Sequence, residues 1–317
     1  MQKKLKKIIF LMPYFGCWPE WFEFYLESCR WNFSIDWLFF TNCPIPKNAP
    51  ANVRFITVSF QDYQQLVSDR LGISFKTDSP YTVCNLRPAY GFIHQEYLDG
   101  YDYFGFGDVD VIYGDLRAFY TDEILSHNTL STHKNRVSGH LFLIKNNERW
   151  KNAFRQIPNW QYWMSQPINV PMDEGYFTKL LLGYRRLPSI LRTLWSVFDP
   201  YKRNHLFREQ FSTVLSEFPW IDGTYNYPKK WFWHQGKLTV ETGEELSYLH
   251  FMNWKSSRYL PKHYGDRAAW ESLPQLIDPA LTDLSRGFCV SALGFTPLED
   301  INPESKPHKI QSISCIQ

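Results

Sequence analysis

Two aspartates separated by one residue, Asp108 and Asp110, are the side chains of this sequence best suited to chemistry. They follow an apolar, aromatic-rich run in the stretch YDYFGFGDVDVIYGDL at residues 101–116. Residues i and i+2 of a strand share a face, so the pattern predicts two carboxylates directed at one cation. Mg²⁺ and Mn²⁺ accept oxygen ligands and often share them with a diphosphate. The pair therefore predicts a metal-diphosphate site, with an ordinary polar strand end as the alternative.

Three further charged residues stand where helical patterns begin. Asp173 and Glu174 precede the pattern YFTKLLL, where carboxylates either cap the helix or face a sugar or an acceptor hydroxyl. Arg87 lies just ahead of another helical pattern, whose N-terminus would favour anions. A catalytic role for the acidic pair and an anion-binding role for Arg87 are the functional interpretations. A helix cap and a surface arginine are the structural ones.

The elements that must position these residues follow an alternating order. Apolar runs predict strands at residues 8–12, 37–41 and 53–58, and helical spacing appears at 19–32, 61–71 and 81–97. The order β-α-β-β-α ahead of the D-x-D strand predicts an α/β fold with a Rossmann-like half. A further apolar run, 138–145, predicts another strand, and residues 158–171 a tryptophan-rich loop.

Ligands of open α/β sheets bind outside the carboxyl ends of the strands. Tyr14, Phe15 and Gly16 follow the first predicted strand, and Thr41 ends the second, so these four are candidate nucleotide contacts. An aromatic side chain here either stacks on a base or packs in the loop.

Composition excludes some classes of function. The 317 residues carry 34 Lys+Arg against 32 Asp+Glu, so no strong nucleic-acid-binding field is expected. Aromatic residues reach 18%, which suits both a large core and sugar stacking. Six scattered cysteines without zinc spacing, and no signal peptide or membrane span, predict a cytoplasmic protein.

Basic residues suggest a contact with the inner face of the cytoplasmic membrane. Lys3, Lys4, Lys6 and Lys7 lie near the N-terminus, and the region 192–208 is basic and aromatic. Such residues attract anionic lipid. An ordinary solvated surface is the alternative.

Two segments together resemble a known class of enzyme. NLRPAYGFI at 85–93, followed by the D-x-D stretch, is similar to GT-A-type glycosyltransferases of bacterial capsule and O-antigen synthesis, over roughly the first 180 residues. The resemblance implies a GT-A-like nucleotide-binding sheet at 1–185 and a helical, aromatic-rich C-terminal portion at 186–317 that completes the site, with one continuous domain as the alternative. It also implies that Arg87 lies near the nucleotide and that Ser138 and Gly139 touch the donor sugar.

A weaker resemblance links residues 248–255 to glycogenin-like and lipooligosaccharide galactosyltransferases. It implies that His250 is a third metal ligand and that Lys255 contacts the diphosphate, although the glycine and Lys-Pro-Trp usual after this segment are absent. An imidazole ligand would favour Mn²⁺ over Mg²⁺.

The expected function is metal-dependent transfer of a sugar from a nucleotide-diphosphate donor to a polysaccharide or lipid-linked oligosaccharide. A nucleotidyltransferase acting on sugar phosphates is an alternative, but it usually has a Gly-rich, basic first loop. A non-catalytic carbohydrate-binding protein is another, and it would not need the D-x-D pair.

Overall fold

The apolar run near the N-terminus forms a completely buried strand, β1 (Ile8–Pro13). A computed structural model of the protein describes residues 5–183, 188, 198–272 and 283–298. Lys3, Lys4 and Arg192, part of the predicted basic surface, lie outside these residues. Lys6 is described and pairs with Asp102 at 3.3 Å.

The strands after β1 are β2 (Ile35–Thr41), β3 (Val53–Thr57), β4 (Tyr103–Gly107), β5 (Val111–Tyr113), β6 (Thr129–Ser131), β7 (Leu141–Lys145), β8 (His205–Phe207), β9 (Lys230–His234), β10 (Lys237–Val240), β11 (Tyr248–His250), β12 (Phe288–Ser291) and β13 (Gly294–Pro297). The α-helices are α1 (Phe22–Trp31), α2 (Phe60–Leu71), α3 (Tyr90–Ile93), α4 (Leu116–Phe119), α5 (Glu148–Lys151), α6 (Trp160–Met164), α7 (Thr178–Leu182) and α8 (Met252–Lys255). A 3₁₀-helix (Pro80–Ala89) and a π-helical turn (Met172–Phe177) border the site described below.

Seven of the described strands form a mixed sheet in the order β3-β2-β1-β4-β7-β6-β8. The strands β3, β2, β1 and β4 are parallel, and β7 runs antiparallel to both β4 and β6. The protein therefore has a mixed α/β fold, and the predicted order β-α-β-β-α ahead of β4 is confirmed. Because β8 belongs to this sheet, both sides of residue 185 contribute to it. The C-terminal portion was predicted to be helical, but its described residues contain six strands, β8 to β13, and only short helices.

Helices cover both faces of the parallel strands. Ile9 and Leu11 of β1 pack in one apolar cluster with α2, and Ile8 and Phe10 pack in another with α1. Successive side chains of a strand point to opposite faces, and both faces are covered here, which explains the uninterrupted apolar run. A third cluster lies between α1 and the four-stranded sheet β10-β9-β12-β13, and buries Trp231 and Trp233.

Several local predictions needed correction. Residues 81–97 are largely 3₁₀-helical, and Pro88, which lacks an N–H group, lies within that segment. The strand predicted from residue 138 begins at Leu141, because the Ser138 hydroxyl accepts from Thr132 N at 3.1 Å and holds the preceding residues in a loop. The predicted loop 158–171 contains α6.

No helix among the described residues combines the length and the apolar character needed to cross a bilayer.

Candidate metal centre and adjoining cleft

The D-x-D aspartates were predicted as the end of a strand, but they lie in the bend that follows β4 and precedes β5. β4 ends at Gly107, where a Cβ atom would lie 3.0 Å from the carbonyl oxygen of His140. The amide of Asp108 donates to that same oxygen at 3.2 Å. The close approach of the two backbones therefore favours glycine and starts the bend at Asp108.

The pairing of β5 with β11 brings a histidine to the bend. Val111 stands opposite His250 in this antiparallel pair, and the amide of Phe251 donates to the carbonyl oxygen of Asp110 at 3.2 Å. One ligand atom from each of Asp108, Asp110 and His250 lies within 4.8 Å of the other two. The structure thus brings together the three residues predicted to bind metal.

Neighbouring side chains orient the imidazole of His250. Its Nδ1 lies 3.2 Å from the Thr213 hydroxyl, and its ring stacks on His140 with 4.1 Å between ring centroids. Its Nε2 is buried without a hydrogen-bond partner and lies 3.6 Å from Oδ1 of Asp110. A proton on Nδ1 directed at Thr213 leaves a lone pair on Nε2, which is the form that binds metal.

Lys255 neutralises one of the two aspartates. α8 begins two residues after His250 and directs the Lys255 ammonium at Oδ2 of Asp110, 2.5 Å away. Burial opposes ionisation of Asp110, but the positive charge of Lys255 and the neighbouring His250 outweigh it and hold the pKa of Asp110 well below its usual range. Asp110 is therefore a carboxylate at neutral pH and has no proton to release when a cation binds.

Arg87 connects the other aspartate to the predicted catalytic pair. It is buried in the 3₁₀-helix, binds Asp108 through one nitrogen and binds Oδ2 of Asp173 through another at 2.9 Å. Burial disfavours its charge, but Asp108, followed by Cys84 and Asp173, raises the pKa of Arg87 above its usual range. The guanidinium therefore remains charged and joins two carboxylates from distant parts of the chain.

Asp173 and Glu174 differ in their surroundings. Asp173 is buried, and its other oxygen accepts from the Glu174 amide at 2.8 Å, so it also serves the expected helix-terminal role. Glu174 is exposed. A Cβ atom on Gly139 would lie 2.5 Å from Arg87 Nη1, 3.0 Å from the Asp173 carboxylate and 3.5 Å from that of Glu174. Gly139 thus lets this chain segment approach all three charged groups.

A cleft of about 560 Å³ opens beside the aspartates. Its lining includes Asp108, Asp110, Arg87 and Lys255 together with aromatic and apolar side chains. Asp173, Glu174 and His250 do not line it, but Asp173 contacts Arg87 and His250 lies 3.6 Å from Asp110, and both of these partners do.

Of the remaining predicted nucleotide and sugar contacts, two side chains line the cleft and the others are engaged in loops. Tyr14 and Phe15 line the cleft, although Phe15 also packs against Phe60 and Tyr63 in the core. The Gly16 amide donates to the Asn42 side chain at 2.8 Å. Thr41 is buried, with its hydroxyl accepting from Cys43 N at 3.0 Å.

Ser138 is also buried, and its hydroxyl interacts with Ser131 and Leu141. Gly16, Thr41 and Ser138 therefore shape loops around the cleft and do not line it.

Sequence reasoning missed residues that reach the site from distant segments. Thr213 and His140 hold His250, while Tyr81, Arg258 and Tyr259 line the cleft. His140 directly follows the predicted Ser138-Gly139 pair, which is a usable signal. Thr213 contacts His250 through a long-range β-bridge, and no local sequence pattern predicts such a contact.

The donor set suits a divalent cation. Two carboxylates and one imidazole are accepted by Mn²⁺ and related ions, and three protein ligands leave coordination positions for ligand oxygens. The buried, unpartnered Nε2 of His250 supports this fit, because a buried polar atom without a partner costs free energy that a bound cation would recover.

Fold and site together define an α/β protein with a candidate divalent-metal centre at the edge of a cleft. Residues 10–271 match a family of unknown function, DUF6625, and the chain belongs to that family. The matched range includes the metal-centre residues and the lining of the cleft. Among curated proteins, none matches the chain.

Proposed function

We propose that this protein is a metal-dependent glycosyltransferase with a GT-A-like fold, which moves a sugar from a nucleotide-diphosphate donor to a glycan or lipid-linked oligosaccharide. The observation that carries the proposal is the grouping of Asp108, Asp110 and His250 within 4.8 Å, two of them lining a cleft large enough for such a donor. Arg87 and Lys255 add two cations beside the carboxylates.

The position of this grouping in the sheet supports the proposal. β1 and β4 are parallel neighbours, with Phe10 opposite Gly105, so Tyr14 and Asp108 follow the carboxyl ends of adjacent strands. This is the edge at which open α/β sheets bind nucleotides. A donor with its base near Tyr14 and its diphosphate near Asp108 and Asp110 would lie along the cleft.

Each side chain then has a role in transfer. Asp108, Asp110 and His250 would hold Mn²⁺ or Mg²⁺, which supplies positive charge to the diphosphate leaving group. Lys255 would bind a phosphate oxygen, and its charge is secure because Asp110 outweighs the effect of burial and raises the pKa of Lys255. Arg87 would hold Asp108 in place while Asp173 anchors Arg87.

Glu174 is the better candidate for proton removal from the acceptor hydroxyl. It is exposed, whereas Asp173 is buried and committed to Arg87. The ion pair with Arg87 occupies the Asp173 carboxylate, whereas the exposed Glu174 carboxylate is accessible to an acceptor hydroxyl.

The loop after β1 argues against nucleotidyl transfer. Residues 13–19, PYFGCWP, contain no lysine or arginine and one glycine. Tyr14 in this loop stacks on Trp18, with 5.0 Å between ring centroids. An aromatic loop suits contact with a base better than it suits binding a triphosphate.

A donor screen tests the proposal. Thermal unfolding would be followed with a panel of nucleotide sugars and nucleoside diphosphates, each with Mn²⁺ and with a chelator. A ligand that binds only the folded protein raises its midpoint by mass action. We expect stabilisation by one nucleotide class that requires Mn²⁺, followed by release of nucleoside diphosphate when acceptor glycan is added. Glycan binding without any nucleotide effect would contradict the proposal and favour a carbohydrate-binding protein.

A further inference from the structure

An arginine and two tyrosines form a wall of the cleft that the proposed chemistry does not use. The guanidinium carbon of Arg258 lies 5.3 Å from the Tyr81 ring centroid and 5.1 Å from that of Tyr259. All three residues line the same cleft as Asp108. Tyr81 comes from the 3₁₀-helix and the other two from the segment after α8, so the fold assembles this wall from distant parts of the chain.

The wall adjoins the metal centre. Partial burial raises the pKa of Tyr81 well above its usual range, and the neighbouring Cys84, Tyr259 and Asp108 add to the effect. Burial lowers the pKa of Lys255, but Asp110, with smaller contributions from Asp108 and Tyr259, raises it overall. Tyr81 therefore lies within electrostatic range of Asp108, and Tyr259 lies within that of Lys255, the lysine expected at the diphosphate.

Arg258 differs from the other cations of the cleft. Arg87 and Lys255 are both paired with aspartates. Among the residues that the structure describes, no carboxylate lies within 4.0 Å of the Arg258 guanidinium. Arg258 is exposed, yet two aromatic faces restrain it, so less freedom is lost when it binds a ligand.

We propose that Tyr81, Arg258 and Tyr259 bind an oxyanion, a phosphate or a carboxylate, carried by the acceptor. The planar fork of an arginine matches both groups through two parallel hydrogen bonds. Both tyrosines are partly exposed, 47% and 45%, and can pack on the sugar or the chain that bears the anion. This inference rests on the proposed function and assigns the acceptor a chemical class: an acidic glycan or a lipid phosphate.

The other positive charges of the cleft already have partners, which is why we assign the oxyanion to the acceptor and not to the donor. The metal and Lys255 would face the two phosphates of the donor, and Arg87 is held between Asp108 and Asp173. Arg258 is an additional cation, carried by the segment that follows α8. It therefore suits a negative group other than the diphosphate.

Calorimetric titration with four probes tests the proposal: methyl glucuronide, methyl glucoside, octyl phosphate below its micelle concentration and octyl glucoside. Each would be titrated into the full chain saturated with Mn²⁺ and nucleoside diphosphate. Wild-type protein should bind at least one anionic probe more tightly than its neutral counterpart. Arg258→Gln should weaken that binding by about 10- to 100-fold, since it removes charge-assisted hydrogen bonds. Tighter binding of the glucuronide would indicate a carboxylate on a glycan, and tighter binding of octyl phosphate would indicate a lipid phosphate.

A matched control and one further variant sharpen the test. Arg286→Gln alters an arginine with an 85% exposed side chain outside the cleft and should leave all four affinities unchanged. Arg258→Lys keeps the charge without the fork and should recover only part of the affinity. Equal binding of the anionic and neutral probes by wild type, or unchanged anion affinity in Arg258→Gln, would overturn the proposal.

Nucleotide binding distinguishes this failure from failure of the proposed function. Arg258→Gln should keep the Mn²⁺-dependent affinity for nucleoside diphosphate. If the wild type does not bind nucleotide, the proposed transferase function is wrong. Titrations of the anionic probes without nucleotide would still measure anion binding at Arg258.

Discussion

Two buried histidines, His94 and His250, stand in opposite surroundings. His94 lies in the aromatic core, stacked on Phe40 with 3.9 Å between ring centroids, and its Nε2 meets the Tyr63 hydroxyl at 3.0 Å. His250 lies in the candidate metal centre, where its Nδ1 meets Thr213 and its buried Nε2 faces Asp110. Both rings are buried and each has one nitrogen without a hydrogen-bond partner, but Nδ1 of His94 lies in the core, whereas Nε2 of His250 faces Asp110.

We infer from that difference that His94 is structural and propose that His250 is a metal ligand. Burial lowers the pKa of His94 to about 3, with a smaller contribution from Arg70, so its ring is neutral and contributes through packing and one hydrogen bond. The His250 ring adjoins two carboxylates, and its buried Nε2 has no hydrogen-bond partner. Changes around His94 should therefore alter stability without altering binding, and changes around His250 should do the reverse.

The largest effect on transfer is expected at the acidic pair. Glu174→Gln should lower turnover by about 10²- to 10⁴-fold, since it removes the proposed base, and leave the free energy of unfolding within about 0.5 kcal/mol. Asp173→Asn should lower turnover too, and should also destabilise the fold because the buried Arg87 loses one of its two partners. Steady-state kinetics and urea unfolding would be measured for each. If both variants keep wild-type turnover, the acidic pair has no catalytic role and only caps the helix.

Replacing the imidazole ligand tests the metal side of the comparison. His250→Ala should weaken Mn²⁺ binding about 100-fold and shift the metal preference towards Mg²⁺, because the softer nitrogen ligand is lost. His94→Gln is the matched control, since it replaces another buried imidazole outside the metal centre. Titration of both metals in each variant decides the matter. An equal loss in the two variants would mean that the effect comes from general destabilisation.

How far the sequence predicts the molecule depends on the range of the contacts. The parallel strands and the aspartate pair could be predicted because apolar runs and a D-x-D triplet are local sequence patterns. The bend at Asp108 was not, since it depends on backbone contact with His140, 32 residues away. Likewise, Arg87 was predicted to bind an anion because it precedes a helical pattern. Its two ion pairs could not be predicted, because one of them depends on the position of Asp173 in the folded chain.

Thr213 offers a finer test of what makes His250 a ligand. Thr213→Val removes the hydroxyl that faces Nδ1 and should weaken Mn²⁺ binding by about 10- to 100-fold, as for other groups that orient metal ligands. Thr213→Ser keeps the hydroxyl and should restore most of the affinity. Electron paramagnetic resonance of bound Mn²⁺ would report the change in coordination independently of activity. An unchanged spectrum and affinity in Thr213→Val would remove it from the site.

The smallest effect concerns the pH dependence of the core. The unfolded chain protonates His94 near its ordinary pKa of 6.5, whereas the folded protein does so only near pH 3. The unfolded state thus binds more protons between these values, and stability should fall by about 1.4 kcal/mol per pH unit as the pH drops below 6.5. His94→Gln should be less stable at pH 7.5, but it should lose correspondingly less stability on acidification. Parallel urea titrations at pH 7.5 and 5.5 measure this, and identical pH-dependent losses would contradict it.

The central claim is that Asp108, Asp110 and His250 bind a divalent metal together with a nucleoside diphosphate. Its most direct test is a Mn²⁺ titration, with and without nucleoside diphosphate, of wild type, Asp110→Asn and Asp99→Asn, the last altering an exposed carboxylate outside the cleft. We predict that wild type and Asp99→Asn bind Mn²⁺ and nucleotide cooperatively. Asp110→Asn should lose at least about 100-fold in Mn²⁺ affinity while its circular dichroism spectrum stays unchanged. Undiminished Mn²⁺-dependent nucleotide binding in Asp110→Asn would contradict the account.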